Sequence, residues 1–166
     1  MSIALPYREA GENKDLDALM ATLAPEVAFH SPLSARAGFH GRDELRVLFG
    51  VAFSAIGELR YHTDVGDDRT RMLAATTTIG GHPMEESALL RFDDNGLITE
   101  ITMFIRPLPA LTRFMATLGP GLARAQGRKG VAALVGAVTR PLVFMTESGD
   151  KTLVPLVTGA SPRPTR

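Results

Sequence analysis

Glu86 is the carboxylate of this sequence whose position best suits acid–base chemistry. It lies in segment 84–92, where apolar and polar residues alternate. Successive side chains of a strand point to opposite faces, so Glu86 shares its face with Met84 and Ala88. A carboxyl group among apolar side chains has a raised pKa, which suits a general acid or base. The alternative is that Glu86, shortly after the Pro83 turn, stays in contact with water.

Tyr7 and His30 are the other two candidates for chemistry. The Tyr7 hydroxyl can donate a hydrogen bond to a ligand carbonyl, or the ring can pack in the core with its hydroxyl at the edge. His30 ends a predicted strand, where an imidazole can act as a base near neutral pH. However, Phe29 and Ser31 share one face of that strand and His30 lies on the other. The alternative for His30 is therefore an ordinary surface histidine.

Several kinds of chemistry are excluded or disfavoured by composition and spacing. The 166 residues include no cysteine, which removes thiolate nucleophiles, disulfides and cysteine-based metal sites. No two of the four histidines have the spacing of a shared metal site. The sequence also lacks a nucleophilic serine elbow, a phosphate-binding glycine loop and a dinucleotide fingerprint. We therefore expect neither a metal nor a cofactor.

The elements that must position these residues follow from hydrophobic periodicity. Apolar residues at helical spacing predict helices at 14–23 and 41–56, with a short strand at 26–31 between them. From residue 58 the period changes to two, which predicts strands at 58–65, 71–79, 84–92 and 97–106. Segment 32–40 has no period and is predicted to be a loop. Two helices, a short strand and an antiparallel meander indicate an α+β fold, with a curved antiparallel sheet wrapped over helices.

Three stretches carry a resemblance to a known superfamily. They are NKDLDAL with LAPEV at 13–27, FHGRDEL at 39–45 and RFDDNGLI at 91–98. Together they resemble the SnoaL-like branch of the nuclear transport factor two-like superfamily, over about residues 3–106. The resemblance implies a cystatin-like cone, the fold that also houses ketosteroid isomerases, polyketide cyclases and limonene epoxide hydrolase. Because this fold hosts isomerases, cyclases, hydrolases and pure binding proteins, function depends on the cone interior.

Ketosteroid isomerases provide a specific comparison for that interior. They use a tyrosine on the first helix, an aspartate base at the end of the first strand and a protonated aspartic acid beside the oxyanion. Tyr7 falls at the position of the tyrosine, whereas Ser31 and Ala88 fall at the positions of the base and the acid. Serine cannot abstract a carbon-bound proton unaided. The resemblance therefore does not imply classical steroid isomerase chemistry here.

The inward register of the strands predicts a largely apolar binding cavity in the cone. The predicted ligand-binding residues are Tyr61, Leu73, Ala75, Thr77, Leu90, Ile101, Met103 and Ile105. Such a lining suits a small hydrophobic molecule. We expect ligand binding, with acid–base chemistry of the isomerase or cyclase type as one hypothesis and a non-catalytic dimeric binding or accessory module as the alternative. A cone filled completely by these side chains would bind nothing.

The chain continues beyond the part that resembles the superfamily. We expect a cone domain at 1–118, a C-terminal extension at 119–158 that packs on the cone or on a partner, and a disordered tail at 159–166. Within the extension, the glycines and proline at 119–121 predict the interruption of the preceding helix. Apolar residues at 131–138 predict a further helix that ends at Pro141. Segments 142–145 and 152–157 are predicted to form a hairpin.

Charge is divided unevenly between these two parts. Residues 1–118 hold 11 basic and 16 acidic side chains, whereas residues 119–166 hold 7 basic and 2 acidic ones. Because the basic residues are scattered, we expect the extension to contact the acidic body or a second copy, not nucleic acid or a membrane. We expect a cytoplasmic homodimer without a membrane span or signal peptide. Its predicted interface is an uncharged outer face of the sheet, formed by Met72, Ala74, Thr76, Thr78, Ile98, Thr102 and Phe104.

Overall fold

The computed structural model describes residues 2–36 and 38–159. The helices are α1 (Leu5–Asn13), α2 (Leu16–Ala21), α3 (Gly41–Ala55), α4 (Leu108–Ala125) and α5 (Lys129–Thr158). The strands are β1 (Leu23–His30), β2 (Gly38–His40), β3 (Arg60–Gly66), β4 (Thr70–Ile79), β5 (His82–Phe92) and β6 (Ile98–Arg106). The five strands predicted within residues 26–106 are present, with bounds shifted by a few residues.

The six strands form one curved, unclosed sheet in the order β2-β1-β6-β5-β4-β3. All neighbouring strands are antiparallel except β1 and β6, which run parallel. The meander from β3 to β6 follows directly from the period-two pattern, because each strand has one apolar face. The predicted α+β class and curved antiparallel sheet over helices are confirmed.

The helices cover the inner face of this sheet. Leu73, Leu90 and Ile101 are fully buried on that face, and α3 and α4 pack over it from the other side. α1 lies against β3, where Arg8 and Arg71 both contact the carboxylate of Asp64. The core therefore lies between the sheet and the helices.

The long helix α3 is fixed at both ends by side chains. At its start, the Glu44 carboxylate accepts a hydrogen bond from the backbone N–H of His40 at 2.9 Å. At its end, the Lys14 Nζ donates to the carbonyl oxygens of Phe53 (3.0 Å) and Ile56 (2.6 Å). A cation at the carboxyl end of a helix satisfies carbonyls that have no partner within the helix.

The C-terminal region differs from the prediction. α4 continues through Pro120, and α5 is a single helix of 30 residues that passes Pro141 and Pro155. The predicted break at 119–121, the helix end at Pro141 and the hairpin at 142–157 are therefore wrong. α4 also crosses the predicted boundary between residues 118 and 119, and it packs on α3 and the sheet while α5 packs on α4.

Close packing explains the glycines that suggested a break. A Cβ on Gly119 would lie 3.1 Å from Val135 of α5, and one on Gly121 would collide with Val51 of α3. These glycines let three helices approach each other. Two polar contacts join α4 to α5: the hydroxyls of Thr112 and Thr146 lie 2.7 Å apart, and Arg113 pairs with Glu147.

Two further local predictions need correction. Segment 32–40, predicted to be a loop, contains β2, which pairs Phe39 with Phe29 of β1. Ile98, assigned to the outer face of the sheet, is fully buried. The pairing of β5 with β6 shifts register between Arg91 and Phe92, and this irregularity turns Ile98 inward.

Helix α5 also meets the length and composition of a membrane-crossing helix, contrary to the expectation that no segment would. Its most apolar stretch is 11% buried within the structure. One such helix is weak evidence for a span, and the cytoplasmic location stays a prediction. The predicted disordered tail lies outside the described residues except for Gly159.

Candidate functional site

A cavity of about 50 Å³ opens between the inner face of the sheet and the helices. Its polar lining groups are Tyr7, Tyr61, Glu86 and Ser31. The remainder of the wall is apolar and comes mostly from helices. It consists of Gly11, Leu19, Phe29, Pro32, Leu48, Phe49, Ala52, Phe53, Ile56, Leu59, Met103, Ile105, Phe114 and Leu118.

Glu86 reaches the cavity because of its place in the sheet. Ala75 of β4 and Ile105 of β6 are its direct neighbours on the two adjacent strands, and Tyr61 of β3 is the next residue along the same row. Directly opposed residues project from the same face of a sheet. The row therefore brings a phenol and a carboxyl group to the same side, facing the helices.

The Glu86 carboxyl group has an unusual environment for an acidic residue. Burial raises its pKa from 4.5 to about 7. Within residues 2–36 and 38–159, no hydrogen bond or ion pair involves its side chain. Its neighbour Glu85 is the opposite case, because that carboxylate is exposed and pairs with Arg106 Nε at 3.0 Å. Glu86 is thus a carboxyl group near its titration midpoint at neutral pH, available to a ligand.

The two tyrosines of the chain, Tyr7 and Tyr61, both line this cavity. Their rings meet edge to face with centroids 6.4 Å apart. Burial and the nearby Glu86 charge raise the pKa of Tyr7 far above its ordinary value, and the neighbouring Tyr61 hydroxyl opposes part of that rise. Burial also raises the pKa of Tyr61. Both phenols therefore stay protonated and can donate hydrogen bonds at any physiological pH.

Residues on α1 fix the position of Tyr61. The Glu12 carboxylate accepts a hydrogen bond from the Tyr61 backbone N–H at 2.8 Å. Gly11 lies beside the Tyr61 ring, and a Cβ on Gly11 would lie 3.2 Å from ring atom Cε2 and 3.3 Å from the hydroxyl oxygen. The absence of a side chain at Gly11 therefore makes room for the phenol.

His30 is not brought to the cavity. Its side chain is 54% exposed, and its Nε2 lies 3.6 Å from Glu100 Oε1. Phe29, the preceding residue, points inward and lines the cavity, so the alternation of β1 turns His30 outward. The structure places His30 on the outer surface, in line with the alternative described above.

The predicted ligand-binding residues divide into two groups. Tyr61, Met103 and Ile105 line the cavity. The other five are buried in the core outside its lining: Leu73, Ala75, Thr77, Leu90 and Ile101.

Sequence reasoning missed the contribution of the helices to the cavity wall. Leu48, Phe49, Ala52 and Phe53 come from α3, and Phe114 and Leu118 come from α4. Their helical spacing is visible in the sequence, but periodicity identifies a buried face without separating core contacts from cavity contacts. No signal within a single helix marks that difference.

Chemically, this site combines ionisable and hydrogen-bonding groups with apolar side chains. It offers one carboxyl group and two phenol donors on an apolar wall. No cluster of three or more potential metal ligands occurs in the described part of the chain. The residues present point to acid–base chemistry on an organic ligand.

Comparisons with known proteins agree with this geometry. Residues 6–101 match the family model described as a SnoaL-like domain. No curated protein matches the chain in sequence. An uncharacterised protein with a cystatin-like fold from Silicibacter pomeroyi superimposes with a TM-score of 0.70 at 20% identity, covering 78% of this chain and 93% of the other.

Two further solved structures are similar. A steroid delta-isomerase from Pseudomonas aeruginosa has a TM-score of 0.64 at 20% identity, with 75% of this chain and 89% of that one covered. A candidate polyketide cyclase from Sinorhizobium meliloti has a TM-score of 0.52 at 20% identity, with 61% and 92% covered. At this identity the structural likeness shows the fold alone, whereas the family match spans more than half of the sequence. The chain therefore belongs to the SnoaL-like domain family, on a fold shared with isomerases and polyketide cyclases.

Proposed function

We propose that this protein binds a small, apolar carbonyl compound in the cavity and that Glu86 transfers a proton to and from it. The observation that carries the proposal is the Glu86 carboxyl group, half-buried and unpartnered among the described residues at the wall of an apolar cavity, where partial desolvation raises its pKa. A buried carboxyl group without a partner is costly and uncommon. Such groups concentrate at functional sites.

The proton transfer follows from the pKa of Glu86. With a pKa of about 7, a substantial fraction of Glu86 is ionised at neutral pH and can act as a base. The carboxylate takes a proton from the carbon next to the ligand carbonyl, the electron pair of that C–H bond forms a carbon–carbon double bond, and the π pair of the carbonyl moves to its oxygen. The product is an enolate with a negatively charged oxygen.

The Tyr7 hydroxyl is suited to stabilise the negative charge that develops on the enolate oxygen. Its pKa is raised, so its hydroxyl keeps its proton and donates a hydrogen bond to the enolate oxygen. The protonated Glu86 then returns the proton to a different carbon in an isomerisation. In a cyclisation, the enolate carbon instead attacks a second carbonyl of the same molecule. The similarity in fold to isomerases and a candidate cyclase supports this reaction class without selecting one member.

Ser31 supports the alternative function, a non-catalytic binding module. It lines the cavity at the end of β1, and its hydroxyl accepts a hydrogen bond from the Leu33 backbone N–H at 3.1 Å. Serine in this place supplies no base. In the alternative, the cavity holds an apolar molecule and Glu86 only hydrogen-bonds to it.

Hydrogen–deuterium exchange of a simple ketone separates these two functions. Cyclohexanone is incubated with the protein in D₂O, and loss of its α-proton signal is followed by NMR. We expect the wild type to accelerate this exchange and Glu86→Gln to reduce the acceleration by about 100-fold or more. Glu85→Gln is the matched control, because that carboxylate lies on the outer surface and should leave the rate unchanged. Equal rates for the wild type and Glu86→Gln would rule out the proposed base, and binding without exchange would favour the non-catalytic module.

A further inference from the structure

Helix α5 has two apolar faces, and among the described residues one of them packs against the rest of the chain. The face toward α4 carries small residues, with Ala132 and Thr139 buried and Val135 and Gly136 beside Gly119 and Pro120. A second line of apolar side chains runs along the helix and is 36% to 80% exposed. We name this line the α5 stripe; it consists of Val131, Leu134, Val138, Leu142, Met145, Leu153 and Leu156.

The spacing of the α5 stripe keeps it on one side of the helix. With Gly149 included, the intervals between its members are three or four residues throughout. Such intervals average close to one helical turn, so the members lie above one another along about 37 Å of helix. The charged residues Lys129, Arg140 and Lys151 lie on the opposite side. This pattern is the seam of a helix that packs against another helix.

The order of these intervals has a second property. With Gly149 counted, the intervals from Val131 to Leu156 are the same in both directions, so these eight positions are symmetric about the point between residues 143 and 144. An antiparallel copy of α5 centred there places Val131 opposite Leu156 and Leu142 opposite Met145. In the same register, Leu134 meets Leu153, and Gly149 accommodates Val138. A two-fold interface requires this kind of self-complementary surface.

We propose that the α5 stripe binds the α5 stripe of a second copy of this chain, antiparallel and about a two-fold axis. The exposed area supports a stable pair, because the stripe exposes on the order of 700 Å² and a standard interface buries about 800 Å² per partner. Contiguous apolar patches of this size are rare on monomers.

A second copy fits the α5 stripe better than a membrane does. Helices that lie in a membrane surface usually carry tryptophan or tyrosine at the interface, and the chain has no tryptophan and no tyrosine beyond residue 61. A membrane surface also imposes no symmetry on the spacing of apolar residues.

The proposed interface supports the cavity indirectly. Phe114 and Leu118 of α4 form part of the cavity wall, and α5 packs on the other side of α4. Two α5 helices held together would therefore hold α4, which forms part of the cavity wall, in place. This interface differs from the predicted one on the outer face of the sheet, where Phe104 is 51% exposed.

Size-exclusion chromatography of the full-length protein, with light scattering to measure the mass of the eluting species, tests the proposal. We expect the wild type to have twice the chain mass of 17.8 kDa, and Leu134→Glu to have the mass of one chain. Phe144→Glu is the matched control, because Phe144 is 73% exposed on the same helix but lies off the α5 stripe. A dimer that persists in Leu134→Glu and dissociates in Phe104→Glu would overturn the proposal in favour of the sheet face.

The antiparallel register has its own test, since the chain contains no natural cysteine. A short bismaleimide should cross-link Leu142→Cys to its copy, because residue 142 lies near the axis. Leu134→Cys should not cross-link, because the two copies of residue 134 lie about 28 Å apart along the helices. Equal cross-linking at both positions would contradict the antiparallel pairing. A monomeric wild type that sediments with vesicles of phosphatidylglycerol and phosphatidylcholine would show that a membrane takes the place of the second copy.

Discussion

Tyr61 and Glu86 lie on one row of the sheet with only Ala75 between them. Neighbouring strands are about 4.8 Å apart, so the two backbone positions are separated by roughly 10 Å. Both side chains point toward the helices, where α1 adds Tyr7 from the opposite side. The charge of Glu86 raises the pKa of both tyrosines, so the three groups form one electrostatically linked set. Predictions about any one of them therefore involve the others.

The stability of the protein should depend on pH through Glu86. Its pKa is about 7 in the folded state and 4.5 as the ordinary value. Below pH 4.5 the carboxyl group is protonated in both states, and burial has no electrostatic cost. As pH rises from 4.5 to about 7, the carboxyl group ionises more in the unfolded state than in the folded state, so stability is lost. Between pH 4 and pH 8, the wild type should lose on the order of 3 kcal/mol relative to Glu86→Gln.

Urea unfolding at several pH values measures this difference. Gln keeps the size of Glu and cannot ionise. The stability of Glu86→Gln therefore follows every effect of pH except the ionisation of Glu86. Glu85→Gln serves as the control and should follow the wild type, because Glu85 is exposed and paired with Arg106. Parallel pH curves for the wild type and Glu86→Gln would mean that Glu86 is not desolvated.

The two tyrosines should resist ionisation in the folded protein. Burial raises the pKa of Tyr7 and of Tyr61 well above 10, with the Glu86 charge as a smaller cause for each. Absorbance at the phenolate band should therefore stay flat near pH 10 and rise only when the protein unfolds. With no tryptophan in the chain, the signal comes from these two residues alone. In guanidinium, where the protein is unfolded, both tyrosines should titrate near pH 10. Phenolate absorbance that rises near pH 10 in the folded protein would mean that at least one tyrosine hydroxyl is exposed.

Local periodicity was enough to locate β1 and the meander from β3 to β6, and to predict the face on which Glu86 lies. The alternation at 84–92 depends only on the geometry of an extended chain, so one sequence specifies it. Periodicity could not show which helices form the cavity wall, because Phe49 or Phe114 looks like any other residue on a buried helix face. That distinction depends on contacts between segments far apart in the chain.

The errors at the C-terminus have a related physical cause. Gly119 and Gly121 have low helix propensity, but they also allow neighbouring helices to come close, and the gain in packing outweighs the local preference. Ile98 shows the complementary case, in which one register shift in the sheet moved a residue from the outer to the inner face.

Gly11 should be a sensitive position for the site. In Gly11→Ala the new methyl group would contact the Tyr61 ring at 3.2 Å, which is closer than nearly all such contacts. Tyr61 or α1 must shift, and we expect a loss of about 1 to 3 kcal/mol in stability. Gly130→Ala is the control, because nothing lies within 4 Å of a Cβ there, and it should stabilise the protein by about 0.5 to 1 kcal/mol. Unfolding curves of both variants check the prediction, and a stabilised Gly11→Ala would contradict the contact.

Lys14 should stabilise the cavity through the end of α3. Its Nζ donates to the carbonyls of Phe53 and Ile56, and both of these residues line the cavity. Lys14→Met keeps the aliphatic chain and removes both charged hydrogen bonds, so we expect a loss of about 1.5 to 3 kcal/mol. Lys151→Met, on the exposed side of α5, should change stability by less than about 0.5 kcal/mol.

Amide exchange separates this role of Lys14 from a purely global effect. Lys14 has a φ of +54°, and Met at this position bears the same backbone strain as Lys, so the difference between them reports the ammonium group alone. If the ammonium group holds the end of α3, exchange should speed up at residues 53–57 more than in the centre of the sheet. A uniform increase across the whole chain would mean that Lys14 acts on global stability without fixing this part of the cavity wall.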